Sequence, residues 1–390
     1  MKKFISDRTE SVYLSAREGY RDDSLGLLAE NLSAPDCKIK YLTIGTNNPI
    51  TDEGVVALAG ALSVNTTLYS FDLHGGEEAK GITDRSAIAL AEALEHNTTL
   101  QKLELNQCNF TSEGARALLL SKRVRDGSTF SLNLSGNTAI GAEGLKALAG
   151  ATLKCLTLYS IPFGNEGAAA LAETLHTNAG TFHELELQDN QMTWKGIESL
   201  AEALKHNTTL KAIKIYGDQV TDTGAAALAE TLRHNTTLTD LALNKLAVSD
   251  MGGIALAEAL RDNNTLSFFV LGGSPIGDPT AMILAETIKA NKKLRDIRLF
   301  HCKYLQDVGV KALAEALKTN STLEALYLED TGVGDVGAQA LAETFKVNTT
   351  LEIVSLYSTN ITPEGKAALQ QAAADYPCTY GYTHPRKVYM

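Results

Sequence analysis

LTDLALNKL, Leu238 to Leu246, alternates its side chains so that Leu241 and Leu243 share one face while Asp240, Ala242 and Asn244 point the other way, the period of a half-buried strand. GAAALAETL, Gly224 to Leu232, has a different period. Ala225, Leu228, Ala229 and Leu232 fall on one apolar face of a helix. Strand and helix together fill one unit, because the same pattern opens at Leu210, Leu238, Leu266 and Leu294 in steps of 28 residues. Extended both ways, the register has thirteen leading positions: Thr9, Ile39, Leu68, Leu100, Thr129, Leu153, Phe182, Leu210, Leu238, Leu266, Leu294, Leu323 and Leu351. Thr9 and Thr129 break the apolar lead, so the first unit reads as a cap and the fifth as a degenerate copy. Two steps are irregular. The step of 32 from Leu68 to Leu100 places its excess in HGGEEAKGI, His74 to Ile82, and the step of 24 from Thr129 to Leu153 lacks part of the helical side.

A chain of such units is an α/β solenoid in which each repeat buries its apolar side only against its neighbours. Parallel strands stack about 4.8 Å apart and helices about 8–10 Å apart, so the array is expected to bend into a horseshoe with a concave parallel sheet and outer helices. The expected organisation is one domain: a cap unit over 1–38, repeats over 39–362 and a C-terminal cap over 363–390 containing Tyr376, Tyr380, Tyr382 and Tyr389. Thr51, Thr111, Thr221 and Thr362 stand at equivalent places as N-cap residues, with Pro363 at the first helical position after Thr362. Helices end at pairs such as His206-Asn207 and Thr319-Asn320, where Asn is expected in the left-handed conformation.

The chain has 35 basic and 46 acidic residues and a formal charge of −11, which argues against nucleic acid as partner. No apolar run approaches the ~18 residues of a membrane span. MKKFISDRTE meets Asp7 and Arg8 before any apolar stretch, unlike a secretory signal. Cys37, Cys108, Cys155, Cys302 and Cys378 are scattered and odd in number, which suits reduced thiols in a cytoplasm.

LQKLELNQCNF (Leu100 to Phe110) and FHELELQDNQM (Phe182 to Met192) resemble the leucine-rich-repeat pattern, with Cys108 and Asn190 at its ninth position. Asn47, Asn137 and Cys302 fill that place in other copies, while Asp218, Leu246, Ser274 and Thr331 replace it. The repeat length and the ALAEAL helix are similar to the ribonuclease-inhibitor-like class. That class also occurs in cytoplasmic immune receptors, Ran GTPase-activating proteins and bacterial effectors that enter host cells. The resemblance implies a scaffold and leaves the partner open.

No motif of a nucleotide loop, zinc protease or serine hydrolase is present, so no enzyme activity, cofactor or metal is expected. His96, His206 and His234 recur at one repeat position and read as helix-end residues; His301 beside Cys302 lacks a third ligand at zinc-type spacing. The sequons at Asn65, Asn97, Asn207, Asn235, Asn320 and Asn348 read as repeat asparagines, not glycosylation sites. The third, fifth and seventh places of each unit should face a partner, with small or polar groups such as Tyr41, Lys102 and Ser131 in early units. Tyr159, Tyr216, Phe268, Val270, Phe300, Tyr327, Ile353 and Tyr357 gather later, where exposed rings mark binding hot spots, the alternative being a cross-strand ladder that merely covers the sheet. Glu184 and Glu186 share the face with Asp72, Glu104, Asp240, Asp296 and Glu329, against Lys102, Lys214 and Arg298. Seven acids to three bases suggest a partner with a basic patch. The reading is therefore a non-catalytic, monomeric protein-binding scaffold in a cytoplasm, a host cell's if the chain is a bacterial effector. The alternative is a GTPase-activating module using Arg298, its only concave arginine.

Overall fold

The computed structural model describes residues 10–15, 19–45, 48–76, 81–126, 129–177, 181–217, 219–377 and 386–390, without the Thr181 side chain. Thr9, Asn47, Asp218, Cys378, Tyr380 and Tyr382 lie outside them. Two compact units divide the chain, Met1–Met192 and Thr193–Met390. Among the described residues of the first unit there are seven strands: β1 Ser11–Leu14, β2 Tyr41–Ile44, β3 Ser70–His74, β4 Lys102–Asn106, β5 Ser131–Asn133, β6 Thr152–Tyr159 and β7 Thr181–Gln188. Each pairs in parallel with the next in chain order. The second unit repeats the plan with β8 Ala212–Tyr216, β9 Asp240–Asn244, β10 Phe268–Gly272, β11 Asp296–Arg298, β12 Ala325–Tyr327, β13 Ile353–Ser355 and β14 Lys387–Tyr389.

Strand leucines and one stripe of each helix make the core. Leu241 and Leu243 are fully buried, as are Leu228, Ala229 and Leu232 of helix Asp222–His234 to within a few per cent. In the degenerate fifth repeat the helix shrinks to Gly141–Leu145 followed by a 3₁₀ turn, Lys146–Leu148, which accounts for the short step before Leu153. The residue two places after each strand's last core leucine turns left-handed: Gln107, Ser160, Asp189, Lys245, His301, Asp330 and Ser358 have φ between 52° and 59°, and Gly217 and Gly273 hold the same place.

The helix-ending asparagines depart from expectation. Asn65, Asn207 and Asn235 are extended, with φ near −73° and ψ near 133°, not left-handed. Their side chains explain them. The Asn235 amide donates to the Leu204 and Asn207 carbonyls of the preceding repeat at 2.6 and 3.1 Å. Its Oδ1 accepts from the Thr237 and Leu238 N–H groups at 2.9 and 2.7 Å, so one residue joins two repeats and sets the start of the next strand. Asn65, Asn97, Asn291 and Asn348 do the same. These amides are buried, which removes them as glycan acceptors in the folded chain.

A second ladder joins the helix starts. Asp222 accepts from the Ser249 and Gly252 N–H groups of the next helix at 2.7 and 3.1 Å and from the Ser249 hydroxyl at 2.7 Å. Asp22, Asp52, Asp278, Asp307 and Asp335 act likewise. Glycine follows two places after the first helical residue because a Cβ on Gly252 would lie 2.7 Å from the Asp222 carboxylate. Thr51 and Thr111 cap their own helices as expected, at Glu53 and Glu113 N–H. Thr221 and Thr362 hold the N-cap place without that bond; the Thr362 hydroxyl instead meets Asp335 and Glu364, both at 2.9 Å.

The ninth-position residues face the backbone. Asn137 donates to the Leu105 and Leu134 carbonyls, both at 2.7 Å, and accepts from the Cys108 and Phe110 N–H groups. In the second repeat this role falls to Asn48, one place beyond Asn47, because the loop is one residue longer there. Ser274 and Thr331 substitute hydroxyls bonded to the Gly272 and Leu328 carbonyls.

β14 is a strand that the repeat pattern does not announce, and Arg386 before it ends the asparagine ladder. Only 7% exposed, its guanidinium donates to the carbonyls of Leu351 and Asn348, and to that of Tyr376 at 2.8 Å, while stacking 4.6 Å from the Phe345 ring centre. The Asn348 carbonyl is the acceptor that a further repeat's asparagine would take, since Asn348 itself donates to Asn320 in that way.

Three outcomes follow. Asn235→Ala strands four buried backbone partners and should lower unfolding free energy by about 3 kcal/mol in urea titration. Arg386→Ala should cost about 2 kcal/mol by the same measure, through unpaired carbonyls at the chain's end. Burial pushes the Asp52 carboxyl up, but hydrogen bonds from Ser86 and Thr83 outweigh it and hold it below its usual value of 3.8. A depressed carboxyl stabilises above its unfolded value and loses that contribution as pH falls through the folded one. The urea midpoints of wild type and Asp52→Asn should therefore differ at pH ~6 and converge below pH ~3.

Candidate protein-binding face

One face of each sheet carries the helices and the other does not. On the helix-free face of the second unit, strand register sets three rows: Asp240, Phe268, Asp296, Ala325, Ile353 and Lys387; then Lys214, Ala242, Val270, Arg298, Tyr327, Ser355 and Tyr389; then Tyr216, Asn244 and Gly272, continued by Phe300 and Tyr357. The rings expected there are present, but most are half-buried.

Arg298 explains why. Its guanidinium takes the Asp296 carboxylate in a bidentate pair at 2.9 and 2.8 Å. It stacks between two rings, 4.7 Å from the Phe268 centre and 4.4 Å from Tyr327. The hydrogen bond to Asp296 holds the Arg298 guanidinium above its usual value, and burial chiefly raises the Tyr327 phenol. Phe300 lies against Gly272, where an added Cβ would meet the ring at 2.6 Å, and touches His301 edge-on at 5.4 Å. Tyr357 is half exposed and stacks on Tyr389, centres 6.0 Å apart. Val270 differs from expectation: it is 4% exposed, walled by its row neighbours Ala242 and Arg298, and offers no contact surface. Tyr216 and Ile353 are half-buried in their rows.

In the first unit, the Tyr159 hydroxyl donates to Glu186 at 2.5 Å, with Glu184 two places earlier on β7. Lys102 pairs with Glu104, whose hydrogen bond raises the ammonium above its usual value; His74 pairs with Asp72 at 3.0 Å and is raised by it. Two groups, Asp72–His74–Glu104 and Cys155–Glu184–Glu186, gather three metal-type ligand atoms each within 4.8 Å. Lys102 and the Tyr159 hydroxyl already sit against a carboxylate of each group. His301 instead meets Asp330 at 2.8 Å, and Cys302 is buried against the Leu271 carbonyl. Burial pushes the Cys108 and Cys302 thiols up to about 12.

Sequence reasoning placed Tyr41 on the outward face without counting it among the binding rings, and it passed over Tyr13 and Tyr69. Tyr13, Tyr41 and Tyr69 are 67%, 46% and 48% exposed, with Tyr41 and Tyr69 edge to face at 6.0 Å. The signal was available at Tyr41, which occupies an outward place between Ser11 and Ser70, side chains too small to cover a ring.

Among the described residues no helix is long and apolar enough to cross a membrane. The leucine-rich-repeat family model matches residues 36–59, 96–119, 131–149, 290–314 and 319–342. No curated protein matches the sequence. Among solved structures, the yeast Rad7–Elc1 complex is similar at 18% identity over 90% of this chain and 83% of that one, TM-score 0.47. An internalin from Listeria monocytogenes is similar at 19% over 89% and 81%, TM-score 0.48. The actin-binding site 2 of leiomodin-1 is similar at 26% over 38% and 86%, TM-score 0.35. The repeated strand and helix, the parallel sheet within each unit and the five matched repeats make the chain a leucine-rich-repeat protein.

Proposed function

We propose that the protein is a non-catalytic scaffold of the ribonuclease-inhibitor-like class that binds a partner protein on the helix-free face of its second unit. The observation that carries this is the group Phe268–Arg298–Tyr327 with Phe300 beside it. It is a rigid patch of three rings and one guanidinium on a face that the core does not need, and aromatic and arginine residues of this kind dominate interface energetics. Half-burial lowers the ordering cost, because the rings are fixed before a partner arrives.

Asp240, Asp296 and Glu329 on this face favour a partner with a basic patch, and charge steering would appear as a salt-dependent association rate. Arg298, on which a GTPase-activating role would turn, is tied to Asp296 and stacked on both sides, which supports the binding reading over that one. The thiols of Cys37, Cys108 and Cys302 support a reducing compartment, and resemblance alone supports a host cytoplasm. The binding form is taken to be a monomer.

The test is affinity capture, then titration calorimetry with the partner identified. Phe268→Ala with Phe300→Ala should weaken binding by about 2 kcal/mol or more while lowering stability by only about 1 kcal/mol through loss of the Arg298 stack. Unchanged affinity, with the fold intact by circular dichroism, would assign the rings to a structural ladder.

A further inference from the structure

The second residue of each long helix is exposed, and in four helices of the first unit it is charged: Asp23, Glu53, Arg85 and Glu113. Acids suit that place, at the positive end of the helix. The second unit departs from the pattern. After Lys195 and Thr223 come Met251, Pro279, Val308 and Val336, and Glu364 restores the charge. Met251, Val308 and Val336 are 73%, 61% and 59% exposed. Consecutive helices pack side by side, so the four apolar residues form one row across four helix starts. Two further side chains widen it. Met282, 48% exposed, lies one turn into helix Asp278–Ala290, and Tyr304, 65% exposed, passes the start of that helix beside Gly277, where an added Cβ would lie 3.0 Å from the tyrosine Cβ. Single exposed apolar residues are ordinary, but a contiguous row of them in four successive repeats marks a contact surface.

The row has an acidic border. Asp250, Asp278, Asp307 and Asp335 each stand one residue before a member of it. Where the next N-cap residue has a hydroxyl, the second oxygen of such an aspartate takes it, as Asp222 takes Ser249 and Asp335 takes Thr362. Opposite Asp250, Asp278 and Asp307 the N-cap residues are Gly277, Gln306 and Gly334, so that donor is missing. Each carboxylate outweighs the positive end of its own helix, equivalent to about half a charge. Lys303, beside Tyr304, is paired with Asp330, and Lys311 lies near Glu315. A second copy of the chain turned onto the row would set these aspartates against their own counterparts, which like charge disfavours. We propose that the row docks an amphipathic helix of a partner protein, its apolar stripe on Met251, Pro279, Val308 and Val336 and its lysines or arginines beside Asp250, Asp278 and Asp307. Seven residues of such a helix rise about 10.5 Å, close to the about 8–10 Å step between the helices beneath, so one apolar residue per heptad meets each member of the row. A strand repeats its face every ~6.7 Å and falls out of step. This rests on reading the protein as a partner-binding scaffold, and it adds a contact that uses none of the rings on the helix-free face.

The chain contains its own reporters. Met251 and Met282 lie on the row, while Met192, fully buried in the first unit, is the internal control, so the full chain labelled with carbon-13 at its methionine methyl groups can be followed by nuclear magnetic resonance. The probe is a capped leucine–lysine peptide of ~21 residues, three heptads with one apolar stripe, added to ~0.5 mM, above the ~0.1 mM dissociation constant reasonable for one helix. It should shift the Met251 and Met282 signals saturably and leave Met192 unmoved. Neither a scrambled peptide of the same composition nor a counterpart with glutamate for lysine should do so. Val308→Ser with Val336→Ser, both at exposed places, should weaken the response at least fivefold with the fold intact by circular dichroism. No shift with the striped peptide, an equal shift with either control, or an undiminished response in the serine pair overturns the proposal. Signals that move on dilution without peptide would assign the row to a second copy and overturn it as well. Phe268→Ala with Phe300→Ala should leave the titration unchanged; a lost response there would move the peptide to the helix-free face. Because no partner enters the experiment, its failure leaves that face standing, and failure of the phenylalanine pair to affect partner binding leaves this row standing.

Discussion

The buried asparagine amide that recurs after helices such as Asp52–Val64 and Asp222–His234 is the interaction on which the rest of the structure depends. A repeat that stacks on its neighbour must pair backbone groups at the helix end and at the start of the next strand, where neither helix nor ladder supplies partners. One amide does both, donating backward to the previous repeat and accepting from its own strand, as Asn235 does with Leu204, Asn207, Thr237 and Leu238. The aspartates perform the complementary task at the helix starts, each carboxylate receiving N–H groups of the following helix, where negative charge also suits the dipole. Side chains thus couple one repeat to the next at both ends of the helix wherever the two ladders run. Register cannot slip by one residue without breaking both.

That coupling decides what the sequence could reveal. Period and register were legible because they are written in leucines, and the strands fall where the alternation put them, with Leu241 and Leu243 inward. Threonine caps were half legible: Thr51 and Thr111 bond their own helices, whereas Thr362 is taken by Asp335 and Glu364. The asparagines were placed correctly and explained wrongly. A helix-ending Asn suggests a left-handed turn by local rules, but the carbonyls its amide donates to lie about thirty positions away, and no local rule contains them. Arg386 and β14 were hidden for the same reason, since an end cap is defined by the acceptors left open beneath it and not by a repeat of its own.

For the binding face, sequence identified direction but not depth. Every ring counted as outward does point outward; what alternation cannot give is the height of its neighbours. Val270 disappears between Ala242 and Arg298, and Phe268 and Tyr327 are half covered by the guanidinium they flank. Tyr41 stands clear because serines lie on both sides of it. Exposure on a sheet is a property of three adjacent strands, and in a solenoid these are residues about one repeat apart on either side.

The degenerate fifth repeat shows the same rule in reverse. Its shortened helix leaves the helical layer thin beside helix Gly164–Thr177, where the Thr174 hydroxyl bonds only its own helix at Ala170; the equivalent Thr231, Thr287 and Thr344 reach across to the preceding helix at Ala201, Ala257 and Ala314. Its strand keeps the core leucine, Leu132, but loses bulk outward, so the sheet continues while its surface dips. A repeat that only had to transmit the stack could tolerate both losses, since core and register survive them. The dip falls between Glu104 and Glu186, so a loss of regularity leaves a hollow with carboxylates on opposite sides. In an array of near-identical units, recognition of a particular chemical group requires that some unit differ from its neighbours, and the fifth repeat, led by Thr129, differs in both its layers.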